Sequence, residues 1–390
     1  MNAGEEQPGT PAADVMLVGW GSADLTPDCP VCLAGQFHAR VSEGVLDPVT
    51  VTALALSAGN DLCACAVLVS CDLLAFPDSL RRVVRQRLAV SLPDLDPAVL
   101  VFSATHTHTA PEVRLADEYA KTGGGISSSG NCVELPAMTE RDYEAFAAGQ
   151  IVQAVVDAWA ARAPGTLSYG LGHAVVGHNR RSCTYDGESR MYGDTSAADF
   201  SHIEGGEDHD VNLLATWDAT GRMTGLVVNV ACPAQVNELL FQISADYWHE
   251  TRVELRRRFG EKLFVLPQCA AAGDQSPHVQ IGKAAEERMA KLADRTPRQE
   301  IAVRIADAVS AVLPVLMRER DGRPLLRHRT LSVELPCRPL SAADLRMAQA
   351  EVDRLRQEYE LLRRDLEANP AARREPHWYV PVTSAYRMMK

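Results

Sequence analysis

Ala98-Val-Leu-Val-Phe-Ser-Ala-Thr-His-Thr-His-Thr-Ala-Pro-Glu112 decides how the rest of the chain is read. Its first half is apolar. Its second half breaks into small polar residues, two histidines two apart, and a proline. A short apolar run bounded in this way reads as a buried strand entering a loop. Along an extended chain, side chains two apart share a side, so His106 and His108 are expected together at a strand end. Paired imidazoles there suit a metal or a proton-transfer group. Taken alone, the pair fits equally well one core histidine and one loop histidine.

The chain has 390 residues, enough for two or three average domains or one large α/β domain. Hydrophobic residues make up 46% and charged residues 23%, the balance of a globular protein. A net charge of −12 argues against nucleic acid or an anionic membrane as the main partner. No apolar run reaches the roughly 18 residues that span a bilayer. Residues 1–15 are acidic, carry Pro and Gly, and read as a short disordered tail, not a signal peptide. A cytoplasmic location is therefore expected. The ten cysteines, in mostly apolar settings, read as reduced thiols. Cys29-Pro-Val-Cys32 supplies only half of a zinc motif.

Working outward, strands are expected at 16–26, 51–57 and 63–70, the last two as a hairpin, and a helix at 78–91. Thr139 and Asp142 mark the start of a helix running to 161. The Gly/Ser loop at 123–131 lies just after the histidines. A strand at 165–177 leads into His178-Asn-Arg-Arg181, and 182–209 reads as a polar loop. A second hairpin is expected at 211–217 and 223–232. A helix at 246–259, a strand at 263–266, a helix at 297–317 and a strand at 331–335 follow. Ser341 and Asp344 start a long helix with Leu345, Ala348, Val352, Leu355, Tyr359, Leu362 and Leu366 on one stripe. That stripe suits either packing on the body or a homo-oligomer through 341–366. Mixed strand and helix order without repeats points to an α/β fold, a mixed β-sheet covered by helices, with a long C-terminal helical arm. No phosphate-binding glycine loop is present.

Three apolar strands end in polar clusters: His106/His108, then Asn179-Arg180-Arg181, then Gly273-Asp274-Gln275-Ser276-Pro277. Sites form where strand ends of α/β sheets converge. A fourth cluster is Ser244-Ala-Asp-Tyr-Trp-His249. The residue types suit metal-assisted hydrolysis, in which zinc takes His nitrogen and carboxylate oxygen and leaves a position for water or substrate. Ser276 needs a base or a metal to take its proton, and an arginine can hold an oxyanion.

The order of these pieces resembles the neutral/alkaline non-lysosomal ceramidase family, in its bacterial ceramidase-like branch. The resemblance rests on Gly19-Trp-Gly-Ser-Ala-Asp-Leu-Thr-Pro27, Ser103-Ala-Thr-His-Thr-His-Thr-Ala-Pro111, Asn179-Arg-Arg181, Val228-Asn-Val-Ala-Cys232, Ile243-Ser-Ala-Asp246 and Ala272-Gly-Asp-Gln-Ser-Pro277. It spans most of 16–280 and implies an N-terminal catalytic region of a zinc-dependent amidohydrolase. By resemblance, His106 ligates zinc or another divalent ion, His108 is an adjacent catalytic histidine, Arg180 touches substrate or oxyanion, and Ser276 is the nucleophile. The family's second ligand histidine is replaced here by Cys232-Pro-Ala-Gln235, so Gln235, Glu238 or His249 stand as substitute ligands. Asp274 joins the catalytic set, and Asn179, Asp246 and Gln275 the substrate contacts. The family's remaining Glu and Tyr ligands fall beyond the long helix. The expected layout is a tail at 1–15, a hydrolase-like domain at 16–336, and a helix beginning a further segment at 337–390. The expected function is hydrolysis of an amide or related bond in a small polar or amphipathic molecule. Two alternatives remain: a glycoside or modified sugar as substrate, with Asp246 and Asp274 as acid and base, or a non-catalytic binding or assembly protein with a degenerate metal site.

Overall fold

The computed structural model describes residues 15–59, 64–113 and 132–389. The loop at 123–131 and all but the last residue of the expected tail lie outside them. In chain order the elements are β1 (Met16–Asp24), β2 (Thr50–Ala58), β3 (Cys65–Cys71), α1 (Asp78–Ser91), β4 (Leu100–Ala104), α2 (Glu140–Ala160) and β5 (Ala163–His173). Then come β6 (His178–Asn179), β7 (Arg181–Thr184), β8 (Ser189–Met191), β9 (Phe200–Ile203), β10 (Asp210–Asp218), β11 (Met223–Val230), α3 (Tyr247–Phe259) and β12 (Phe264–Cys269). The last are β13 (Gln275–Ser276), α4 (Lys283–Leu292), α5 (Pro297–Leu316), α6 (Ala342–Ala368) and α7 (Tyr379–Met389).

Eight strands form one mixed sheet in the order β12-β11-β10-β5-β1-β2-β3-β4. Its neighbours are antiparallel except β11/β12 and β3/β4, which run parallel. The expected α/β architecture is thus present. The link between β1 and β5 is only two residue pairs long, Leu17↔Pro164 and Val18↔Ala163. The sheet turns back on itself there, and its two halves pack face to face.

Side-chain alternation shows why. On β2, Val51, Ala53 and Ala55 face α1 and α2, while Leu54 and Leu56 face the other half-sheet. On β11, Leu226, Val228 and Val230 face α3 and α5, while Val227 faces inward. Each half therefore buries both faces, and four layers result: helix, sheet, sheet, helix. This layering explains why so many strands read as continuous apolar runs.

Trp20 sits in the middle seam. Its indole Nε1 donates to Thr216 Oγ1 at 2.9 Å, and its ring stacks on Phe264 at 5.5 Å. Gly225 of β11 allows this close approach, because a Cβ there would lie 2.3 Å from the Trp20 ring. Gly225→Ala is expected to destabilise the fold by about 1–3 kcal/mol through overpacking. A urea titration measures it, and an unchanged midpoint would contradict the seam.

The caps follow the sequence. Thr139 Oγ1 accepts from Asp142 N at 3.1 Å to start α2. Ser341 and Asp344 form a reciprocal capping box on α6. Three expectations need correction. The stretch 182–209 is not a plain loop, because it carries the small sheet β8-β7-β9. The apolar alternation at 331–335 makes no strand. It has no ladder partner, and Leu331, Val333 and Leu335 remain exposed. The α6 stripe is split: Leu355 is buried and Tyr359 contacts Tyr386 of α7 at 5.6 Å, whereas Leu345 is exposed. The helices α4 and α7 were not expected. Among the described residues, no helix is long and apolar enough to cross a membrane.

Candidate functional site

Because β3/β4 and β11/β12 are parallel pairs, Cys71 lies beside Ala104 and Val230 beside Cys269. The halves fold so that these strand ends meet. Ser70 Oγ donates across the seam to the Pro267 carbonyl at 2.5 Å. A cleft of about 340 Å³ opens there. It is lined by Leu74 after β3, His106 after β4, Pro233 and Gln235 after β11, Cys269 at the end of β12 with Ala270, Ala272 and Gly273 after it, and Arg180.

The Thr105–Thr109 run leaves the ladder at once. His106 has φ +60°, so the expected extended alternation does not hold there. The threonines fix the turn. Thr105, Thr107 and Thr109 are buried, and the hydroxyls of Thr107 and Thr109 both donate to the Ser244 carbonyl, at 2.8 and 2.9 Å. The two imidazoles lie 5.0 Å apart, ring to ring, at 69°. His106 Nδ1 lies 2.8 Å from the Leu74 carbonyl, the kind of contact that orients the Nε2 of metal-bound histidines.

His108 is largely buried and, among the described residues, neither ring nitrogen has a hydrogen-bond partner. Glu238 lies beside it, with Nδ1 to Oε2 at 3.4 Å, and the other carboxylate oxygen is 3.4 Å from His278 Nε2. These are electrostatic contacts without hydrogen-bond geometry. Burial pushes the Glu238 carboxyl up, but His278, His108 and Arg40 together hold it below its usual range. Gly35, at φ +95°, packs so closely that a Cβ there would lie 2.7 Å from His108.

Burial chiefly, helped by the neighbouring His106, lowers the His108 pKa from 6.5 to about 3. Between those values the unfolded chain binds the extra proton and the folded one does not. Stability is therefore expected to fall as pH drops from 6.5 toward about 3. His108→Gln removes this contribution and flattens the acid limb of a melting-temperature profile. An unchanged acid limb would contradict it.

A buried arginine, Arg40, holds the loops behind this pair. Its Nη1 donates to the Glu238 and Leu240 carbonyls at 2.6 and 2.7 Å. Its Nη2 donates to the His108 carbonyl at 2.5 Å and to the Ala34 carbonyl. The helix α7 supports this segment, since Thr383 Oγ1 accepts from Ala39 N and Tyr379 Oη from Val41 N.

The Gly273–Pro277 motif and the Asn179–Arg181 motif meet as β13 and β6, with Gln275 opposite Asn179 and Ser276 opposite His178. Arg180 Nη2 donates to the Gly273 carbonyl at 2.8 Å. Ser276 is fully buried. Its Oγ is met by three groups: Tyr192 Oη at 3.1 Å, Gln235 Nε2 at 3.2 Å and the His278 backbone N–H at 3.1 Å. Gln235 Nε2 also donates to Tyr192 Oη at 2.6 Å.

The structure thus brings His106, Arg180 and Gln235 to one cleft, with Ser276 one hydrogen bond behind Gln235 and the His108–Glu238 pair behind His106. It gives the remaining residues supporting positions. Asp246 is buried with φ +55° and caps α3. Its carboxylate accepts from Tyr247, Asn237 and Val236 N–H at 2.7, 2.9 and 3.2 Å, and burial raises its pKa. Asp274 accepts from Asn179 Nδ2 at 3.0 Å. Gln275 Nε2 donates to the Gly206 carbonyl at 3.2 Å. Asp246 is thereby engaged by three backbone N–H groups and Asp274 by the Asn179 amide. His249 lies on α3 and takes no part in the His106, His108 and Glu238 contacts above.

Among the described residues, no three His, Cys, Asp or Glu side chains gather into a metal-holding group. His106, Glu238 and His249 are not brought together as such a group. Glu238 is turned between two histidines, and the amide nitrogen of Gln235 is committed to Tyr192 and Ser276. Cys29 is exposed and Cys32 buried.

Tyr192 was missed in the sequence, since it lies in the stretch read as a loop. It is about one-third exposed and, like His106 and Asp246, has a positive φ, here +55°. Three of the five described non-glycine residues with positive φ therefore stand around this site, and backbone strain of that kind gathers at functional sites.

No protein-family model matches the chain, and no curated relative matches it in sequence. Solved structures do. Neutral ceramidase from Pseudomonas aeruginosa superposes with a TM-score of 0.60 at 19% identity, covering 78% of this chain and 46% of that one. A ceramidase complexed with C2 gives 0.58 at 18%, covering 78% and 45%. This chain thus spans less than half the length of either, and at such identities the likeness is one of fold: the chain has a neutral-ceramidase-like fold.

Proposed function

We propose that this chain is a hydrolase that cleaves an amide or related bond in a small polar or amphipathic substrate, with Ser276 as nucleophile. The reading is carried by the convergence of the β3/β4 and β11/β12 ends on one cleft. That cleft holds His106, Arg180 and Gln235 in front of Ser276. Its ceramidase-like fold supports the same chemistry.

In this reading a carbonyl enters the cleft beside Arg180, whose guanidinium holds the oxygen as charge develops on it. Ser276 Oγ, already aligned by its three neighbours, bonds to the carbonyl carbon. A divalent ion would polarise the carbonyl as a Lewis acid, with His106 as one ligand. The described donors do not complete its coordination, so every step here is drawn from the chain's own residues.

The test offers the purified chain short N-acyl p-nitroanilides and p-nitrophenyl glycosides, before and after dialysis against a chelator. Release of p-nitroaniline supports the reading. Glycoside cleavage alone, or no turnover of either class, would overturn it.

A further inference from the structure

We propose that Tyr192 is a catalytic residue that passes the Ser276 proton to the leaving group. The inference rests on the reading of Ser276 as nucleophile. Four residues converge on this one phenol. Its Oη lies 3.1 Å from Ser276 Oγ, accepts from Gln235 Nε2 at 2.6 Å, and accepts from Arg180 Nη1 at 3.4 Å. The Arg180 guanidinium also stands 5.7 Å from the ring centre, and the His278 ring meets it edge-on at 5.9 Å. Tyr192 Oη donates to Ser276 Oγ in this structure, and the pair exchanges roles as Oη gives up its own proton. Among the described contacts of Ser276 Oγ, Tyr192 is the side chain able both to take a proton and to give one up, since Gln235 and the His278 N–H only donate. Two donors, one cationic, face Oη and stabilise negative charge as it develops there.

The step balances. As Oγ bonds to the carbonyl carbon, the Ser276 proton moves to Tyr192 Oη. The proton already on Oη moves to the leaving nitrogen, which keeps the electron pair of the broken C–N bond. Water then repeats the sequence in reverse, protonating Oγ and releasing the acid. Tyr192 ends each cycle protonated.

The test measures the rate at which a fluorophosphonate labels Ser276 in the parent, Tyr192→Phe and Ser276→Ala. Phe keeps the ring and its packing and loses only the hydroxyl. Labelling of the parent, with a folded Tyr192→Phe slower by about 10²-fold or more, supports the relay. Labelling of Tyr192→Phe at the parental rate overturns the relay and leaves the hydrolase reading standing. A parent labelled no faster than Ser276→Ala overturns both. If Tyr192→Phe fails to fold, 3-fluorotyrosine at position 192 replaces it. A labelling profile shifted to lower pH supports the relay, and an unshifted profile overturns it.

Discussion

Ser276→Ala is expected to lower amide hydrolysis by about 10³-fold or more while leaving a folded protein. The loss is large because the serine is the one atom this account bonds to substrate. What remains is binding in the cleft and whatever Arg180 contributes to the carbonyl oxygen. Stability falls more modestly. Tyr192 Oη, Gln235 Nε2 and the His278 N–H all lose their common acceptor in a buried setting. A buried donor left unpaired costs about 1–3 kcal/mol. One of the three has another route, since Gln235 Nε2 also donates to Tyr192 Oη. The measurement pairs steady-state rates with a thermal melt. Activity within tenfold of the parent would remove Ser276 from the chemistry, whatever the melt shows.

Arg40→Leu is expected to destabilise the protein by about 4 kcal/mol or more. The guanidinium is fully buried, and it satisfies carbonyls of Ala34, His108, Glu238 and Leu240 from three separate segments. Leucine fills much of the volume and supplies no donor, so four carbonyls lose a partner at once. Burial, the largest influence, brings the Arg40 pKa down only to about 10, so it is a cation at neutral pH. The carbonyl dipoles and the nearby Glu238 carboxylate hold that charge. A loss of this size is a large part of a domain's usual stability of 5–15 kcal/mol. Arg40→Lys restores the charge and some donors and should recover part of the loss. Urea titration distinguishes these outcomes. A cost of Arg40→Leu below about 1 kcal/mol would show that the loops hold without it.

Much of this was legible in the sequence, and the reasons for the rest are physical. Strand periodicity placed β1 to β5 and β10 to β12, because most of these strands bury apolar side chains between the layers, although β5 leaves Tyr169 and Leu171 exposed. The polar residues ending those runs marked the cleft: His106 and Arg180 line it, and Ser276 lies behind Gln235. Asp246 was read as a substrate contact although it stands immediately before a helix, the position where Asp caps backbone N–H groups. That signal was available. Arg40 carried none, since His108, Glu238 and Leu240 are remote in sequence and meet it only in the folded state. Tyr192 was hidden for the same reason: its function depends on β8 bringing a loop phenol to β13. The strand expected at 331–335 had the right alternation but finds no neighbour to pair with.

The central claim is that Ser276 forms a covalent acyl intermediate in this cleft. It is tested by incubating the purified chain with p-nitrophenyl acetate, quenching in acid, and mapping the acetyl group by peptide mass spectrometry. The account predicts acetyl on Ser276, absent from Ser276→Ala. Ester turnover with Ser276 unmodified and the acetyl group carried elsewhere would contradict it.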